Sequence, residues 1–113
     1  MTTWQNDFLQ EIQRAEACRA RSNEGQARVC ARRAAGIAVR EYLSRRGMTA
    51  LPSSAYDLLK FLLELRDQPA EVLQSAGYLT LRVDERFKLP EGVDLIQEAR
   101  ALRERLLPEE PTD

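Results

Sequence analysis

The residue type with the most chemistry to offer in this chain is arginine. Residues 14–46 hold Arg14, Arg19, Arg21, Arg28, Arg32, Arg33, Arg40, Arg45 and Arg46 against Glu16, Glu24 and Glu41 only, so nine minus three leaves +6 in a chain of net charge −1. The rest of the sequence therefore sums to −7. A guanidinium presents a planar fork of donors that matches carboxylates and phosphates two bonds at a time. At about 100° per residue, Arg28 and Arg32 share one side of a helix, and Arg33 and Arg40 lie roughly a quarter-turn further round. Val29, Gly36, Val39 and Leu43 are interleaved with them. A face that is half apolar and half arginine suits an interface in which the stems pack and the forks reach an acid or a phosphate. Three uses fit the spacing. The arginines pair within the chain, as Glu24 with Arg28 and Glu41 with Arg45. Alternatively they meet an anion or nucleic acid, or they meet a second protomer.

A second basic cluster is Arg82-Val83-Asp84-Glu85-Arg86-Phe87-Lys88. Arg82 and Arg86 are one helical turn apart at the expected end of a helix, with Lys88 just beyond. Cations there interact favourably with the helix C-terminus, and the same three residues form a phosphate-binding edge in the alternative reading. Arg28, Arg32, Arg82, Arg86 and Lys88 are thus the candidates for ligand or anion contact. The near-neutral total argues against a generic nucleic-acid or membrane-surface binder.

Other chemistry is sparse. The chain has no histidine, which removes the commonest general base and the commonest metal ligand. No glycine-rich phosphate loop, paired cysteines or serine elbow occurs. No catalytic residue, metal ligand or cofactor is expected. Cys18 and Cys30 lack metal-ligand spacing and read as reduced, small core residues of a cytoplasmic protein. The start, Met1-Thr2-Thr3-Trp4, has no apolar leader region. No apolar run approaches the roughly 20 residues that cross a bilayer, so no membrane contact is expected. Glu41 falls inside an apolar helix face, between Ala34 and Ile37. It is either a buried acid with a raised pKa, or it pairs with an arginine or escapes near the helix end.

The elements that position these residues are helical. Glycine and proline sit at breaks, and no stretch alternates with period two. The first helix runs from about Thr3 to Arg21, with Trp4, Phe8, Ile12 and Ala15 inward. Asn23 caps the second, about Glu24 to Arg46, which Gly47 stops. Ala27, Cys30, Ala31, Ala34, Ile37, Ala38 and Tyr42 share a face of mostly small side chains that lets a neighbour approach closely. Ser53 or Ser54 caps the third helix, about 54–66, whose inward side is Ala55, Leu58, Leu59, Leu62 and Leu65 or Arg66. The fourth starts near Asp67-Gln68-Pro69 and continues to about Glu85. The last covers about 93–107, with Ile96, Ala99, Leu102 and Leu106 inward. The expectation is an all-α, antiparallel up-down bundle of four to five helices, one domain over 1–107, with 108–113 a frayed acidic tail.

Several helices carry a second apolar stripe. Val39 and Leu43 sit among arginines, Phe61 and Leu65 lie away from the Leu58–Leu62 side, and Tyr78 and Leu81 lie outside the Leu73–Ala76 line. Merged stripes make a patch larger than monomers usually expose. A self-complementary patch closes as a two-fold homodimer.

The order of features resembles the HEPN family, helical domains named for their occurrence in higher eukaryotes and prokaryotes and for nucleotide binding. The resemblance spans about residues 8–107. It is carried by Asn23-Glu24-Gly25 leading into ARVCARRAAGIAVREYL, by Ser54-Ala55-Tyr56-Asp57-Leu58-Leu59, and by AGYLTLRVDERFKLPEGVDLIQEARAL. It implies a bundle of four or five helices, frequently a homodimer. It also implies company with a nucleotidyltransferase, a toxin–antitoxin pair or RNA processing, and it places Arg82, Arg86 and Lys88 in the family's basic loop. Active members cleave RNA with an arginine and a nearby histidine, and that pair has no counterpart in a histidine-free chain. The resemblance therefore implies a non-catalytic module associated with nucleotides or RNA, with a nucleotidyltransferase or other protein as partner. The other reading is a helical protein-interaction or assembly module with no nucleic-acid ligand.

Overall fold

The computed structural model describes residues 3–82 and 86–108. It contains α1 (Thr3–Ala20), α2 (Glu24–Arg45), α3 (Ala55–Glu64), α4 (Ala70–Leu79) and α5 (Leu95–Leu106), with no strand among the described residues. None of these helices is long and apolar enough to cross a membrane. Residues 83–85 and 109–113, including most of the expected acidic tail, lie outside the described residues.

Helix ends follow the local sequence. At the end of α1, Ser22 takes a left-handed conformation (φ 61). This lets the Asn23 amide donate to the Cys18 carbonyl at 2.8 Å and the Ser22 amide to the Arg19 carbonyl at 2.9 Å, the pairing that closes a Schellman turn. Asn23 then caps α2, its side-chain oxygen accepting from the Gln26 amide. Gly47 (φ 84) ends α2 in the same way, with the Met48 amide on the Leu43 carbonyl. The Ser54 hydroxyl accepts from the Asp57 amide and caps α3, and the Asp94 carboxylate accepts from the Ile96 amide and caps α5. α4 is shorter than its apolar pattern: it closes at Leu79 rather than running on toward Glu85.

Packing centres on α2, which touches each of the other four helices. Its buried residues are Ala27, Cys30, Ala31, Ala34, Ala35, Gly36, Ala38, Val39 and Leu43. Most are small, so the surrounding helices come close. Gly36 is the extreme case: a Cβ there would lie 2.5 Å from the Ala55 Cβ and 2.8 Å from its Cα. No rotamer change relieves such a clash, so only glycine lets the first turn of α3 seat on α2. Larger side chains from the other helices complete the core, including Ile12, Leu59, Leu62, Val72, Leu79, Leu95 and Leu102. Ser75 is buried too and donates to Glu98 at 2.7 Å, tying α4 to α5. The radius of gyration of 13.6 Å is close to the roughly 13 Å expected of a compact chain of this length.

One ionic cluster ties three helix ends together. Arg19, in the last turn of α1, holds Glu24 of α2 through two bonds of 3.0 and 2.7 Å and Asp94, the α5 cap, at 2.9 Å. The hydrogen bond from Arg19 holds the Glu24 carboxyl below its ordinary range. Burial pushes the Asp94 carboxyl up, but Arg19 and two backbone donors outweigh it, and its pKa is also lowered. A carboxylate with a depressed folded-state pKa stabilises the fold above its unfolded-state pKa and loses that contribution as pH falls through the folded value. We predict that Arg19→Gln lowers unfolding free energy near pH 7 by about 1–2 kcal/mol, a charge-assisted contribution trimmed by solvent screening at these part-exposed side chains. The gap to wild type should shrink as pH drops below about 4, where ordinary carboxylates protonate. Urea titrations at pH 7, 5 and 3 measure it. A gap that is constant with pH would contradict the ionic account.

Candidate anion-binding cleft

The circumference of α2 determines where its arginines go. At about 100° per residue, its buried positions cover about two-thirds of the helix surface, from Cys30 through Ala27 and Ala35 to Gly36. Arg28 and Arg32 fall inside that covered arc, beside Ala35 and Val39. Val29, Arg33, Ile37 and Arg40 fall in the arc that no other helix fully covers.

Arg28 and Arg32 accordingly turn to backbone carbonyls. Arg28 Nη1 donates to the Phe87 carbonyl at 2.8 Å, and Nε lies 3.6 Å from Glu24. Arg32 Nε donates to the Leu79 carbonyl at 2.8 Å and Nη2 to the Leu81 carbonyl. The carbonyl of the last α4 residue and that of Leu81 just beyond it are thus taken by a side chain from α2. This accounts for the stop at Leu79. Burial pushes the Arg32 guanidinium below its ordinary pKa, and nearby Tyr56 acts in the opposite direction. Of the expected anion candidates, Arg28 and Arg32 are therefore clamps on the α4–α5 connection. Arg82, Arg86 and Lys88 are exposed on that connection, next to the Leu81 and Phe87 carbonyls that Arg32 and Arg28 hold.

The open arc of α2 faces a cleft of about 520 Å³. Val29, Gly36 and Ile37 line it from α2, Glu11 from α1, and Ser53, Ser54, Ala55, Tyr56 and Leu58 from the start of α3. Arg32, Arg33 and Arg40 bring three guanidiniums to its wall, against one carboxylate, Glu11. Glu11 already pairs with Arg14 at 3.3 Å. The Arg40 guanidinium donates to the Pro52 carbonyl. The Arg32 guanidinium stands 5.2 Å from the centre of the Tyr56 ring, and Tyr56 is one of the two large apolar side chains exposed among the described residues.

This trio differs from seven of the chain's other arginines. Arg14, Arg19, Arg28, Arg45, Arg46, Arg100 and Arg105 each meet a carboxylate within 4 Å. Among the described residues no carboxylate pairs with Arg32, Arg33 or Arg40, so their charge is focused on the cleft. The expected pairs Glu24–Arg28 and Glu41–Arg45 are both present, the latter at 2.8 Å. Glu41 is therefore a half-exposed partner of Arg45 on its own helix, not a buried acid. Cys18 and Cys30 are free and buried, and burial pushes the Cys30 thiol up, away from the reactive thiolate. No group of acids and cysteines among the described residues is placed to hold a metal.

The interface candidates are dispersed. Val39 and Leu43 are fully buried in the chain's own core, because they fall in the covered arc of α2, and so present no surface to a partner. Phe61, Leu65 and Tyr78 are half-buried against the core, as is Leu81 on the α4–α5 connection. The sequence places Arg33 and Arg40 on the arginine face but not among the ligand candidates, and it does not single out Tyr56. The signal that would have found them is the run of small residues, which marks the covered arc and leaves Val29, Arg33, Ile37 and Arg40 outside it.

No protein-family model, curated protein or solved structure matches the chain. We predict that Arg32→Met destabilises the fold by about 2–3 kcal/mol, the range for losing charged hydrogen bonds while buried carbonyls are left unpaired. Arg32→Lys should recover only part, since one ammonium does not reproduce the fork. Urea unfolding checks both. A methionine variant within about 0.5 kcal/mol of wild type would remove the clamp from the account.

Proposed function

We propose that this chain is a non-catalytic helical module that works with nucleotides or RNA, an antiparallel up-down bundle of the HEPN-like kind. On this reading it is the partner half of a nucleotidyltransferase or toxin–antitoxin system. The observation that carries the reading is the cleft between α2 and α3, where Arg32, Arg33 and Arg40 line the wall against a single carboxylate, Glu11. A positive, partly apolar concavity of this size suits an anionic ligand with one flat, less polar part. A second reading, assembly with another protein, is favoured by the groove between α1 and α5. There Leu9 is 41% exposed beside Phe8, Ile12 and Arg103. A second copy of this chain is one partner for that groove.

Salt dependence separates the two. Binding of a nucleotide or a short RNA should weaken with salt, each phosphate contact to a single strand adding about 0.7 to the logarithmic slope. Charge reversal at Arg33 and Arg40 should flatten that slope by one to two such contacts, with helicity unchanged. The RNA should be recovered uncleaved, since the chain has no histidine to act as general base. Absence of RNA and nucleotide binding at high concentration, together with salt-resistant association with one protein or a sedimentation mass near twice 12.9 kDa, would favour assembly instead.

A further inference from the structure

We infer that the α2–α3 cleft is a site for a single nucleoside phosphate rather than for a nucleic-acid strand. The phosphate would lie on Arg33 and Arg40 and the base against Tyr56. The inference rests on the nucleotide-associated reading above and assigns its ligand class and residues. Arg33 and Arg40 lie on the same line of α2, two turns apart, with Gly36 and Ile37 between them. Their long side chains can converge over the small glycine, and forked donors suit a terminal phosphate. Ser53 and Ser54, on the opposite wall, add hydroxyl donors. Tyr56 supplies the aromatic surface on which a base stacks. Arg32 supports that ring from a fixed position, because two of its nitrogens are held by the Leu79 and Leu81 carbonyls. The Lys60 ammonium stands 6.0 Å from the same ring centre and is exposed, so it adds a cation at the rim.

The surroundings of the cleft argue for a small ligand. Its volume of about 520 Å³ lies within the usual range for small-molecule sites. Arg40 also lines a second hollow, which it shares with Asp7, Glu41 and Arg45 and with Trp4 and Ile37. Arg45 is already paired with Glu41. The next phosphate of a strand leaving the cleft on that side would meet Asp7 and a neutralised pair, not a further cation. Strand-binding grooves instead carry positive charge along the whole backbone path.

Calorimetry on the intact chain tests the site with four probes: adenosine monophosphate, guanosine monophosphate, ribose 5-phosphate and a ten-residue oligoribonucleotide. At least one mononucleotide should bind below millimolar concentration, and ribose 5-phosphate roughly tenfold more weakly. Arg33→Gln and Arg40→Gln should each weaken mononucleotide binding about tenfold. Tyr56→Leu should erase the preference over ribose 5-phosphate, while Tyr56→Phe keeps it. Circular dichroism confirms that each variant is folded, and all three side chains are exposed. Equal binding of ribose 5-phosphate and both mononucleotides would overturn the base contact. If the oligonucleotide binds and no mononucleotide does, the site assignment fails while the RNA-associated reading stands. If no probe binds at millimolar concentration, both fail.

Discussion

The close packing of neighbours around α2 is the constraint on which the rest of the molecule depends. A central helix contacts four others only if its own side chains are short, and the run Ala27, Ala31, Ala34, Ala35, Gly36 and Ala38 meets that need. The apolar volume then comes from the surrounding helices, whose leucines and isoleucine interdigitate over the alanine surface. Gly36 is where the requirement is tightest, since the first turn of α3 stands where a methyl group would be. That contact also forms the floor of the cleft, so core packing and the candidate site share one structural cause.

The same constraint sorts the arginines. A guanidinium in the covered arc of a central helix must find acceptors among its neighbours, because burying it unpaired is costly. Arg32 finds the carbonyls at the end of α4 and just beyond it, and Arg28 finds the loop before α5. Arginines at helix ends find carboxylates instead, with Arg19 joining three helices through Glu24 and Asp94. Arg33 and Arg40 lie in the open arc and make no ion pair among the described residues, with Glu11 in the cleft and Asp7 and Glu41 in the hollow beyond Arg40. The charge of these two arginines is therefore available to a ligand, whereas Arg19, Arg28 and Arg32 hold helices together.

Much of the fold is legible in the sequence because its determinants are local. Asn23 and Ser54 cap helices within three residues of themselves, and Gly47 closes α2 within its last turn. The end of α4 is not legible, because the group that takes its last carbonyl is Arg32, 47 residues away in sequence. The apolar stripe of Val39 and Leu43 misleads for a related reason. Interleaved arginines look like a marker of solvent, yet both residues are fully buried since Arg28 and Arg32 reach carbonyls rather than water. The cleft itself was only half legible. Arg32 stands out in the sequence as a candidate, but Tyr56 joins it through the approach of α3, which no spacing along one helix encodes.

The distinction between clamped and available arginines is open to one direct observation. Arginine side-chain Nε–H resonances can be followed by nuclear magnetic resonance as a mononucleotide is added. In the free protein the Arg32 Nε–H, bonded to the Leu79 carbonyl at 2.8 Å, should exchange slowly with water, while those of Arg33 and Arg40 exchange fast. On titration the Arg33 and Arg40 signals should shift and gain protection together, with Arg32 little changed. Shifts confined to Arg82 and Arg86, with Arg33 and Arg40 still exchanging freely, would contradict the account.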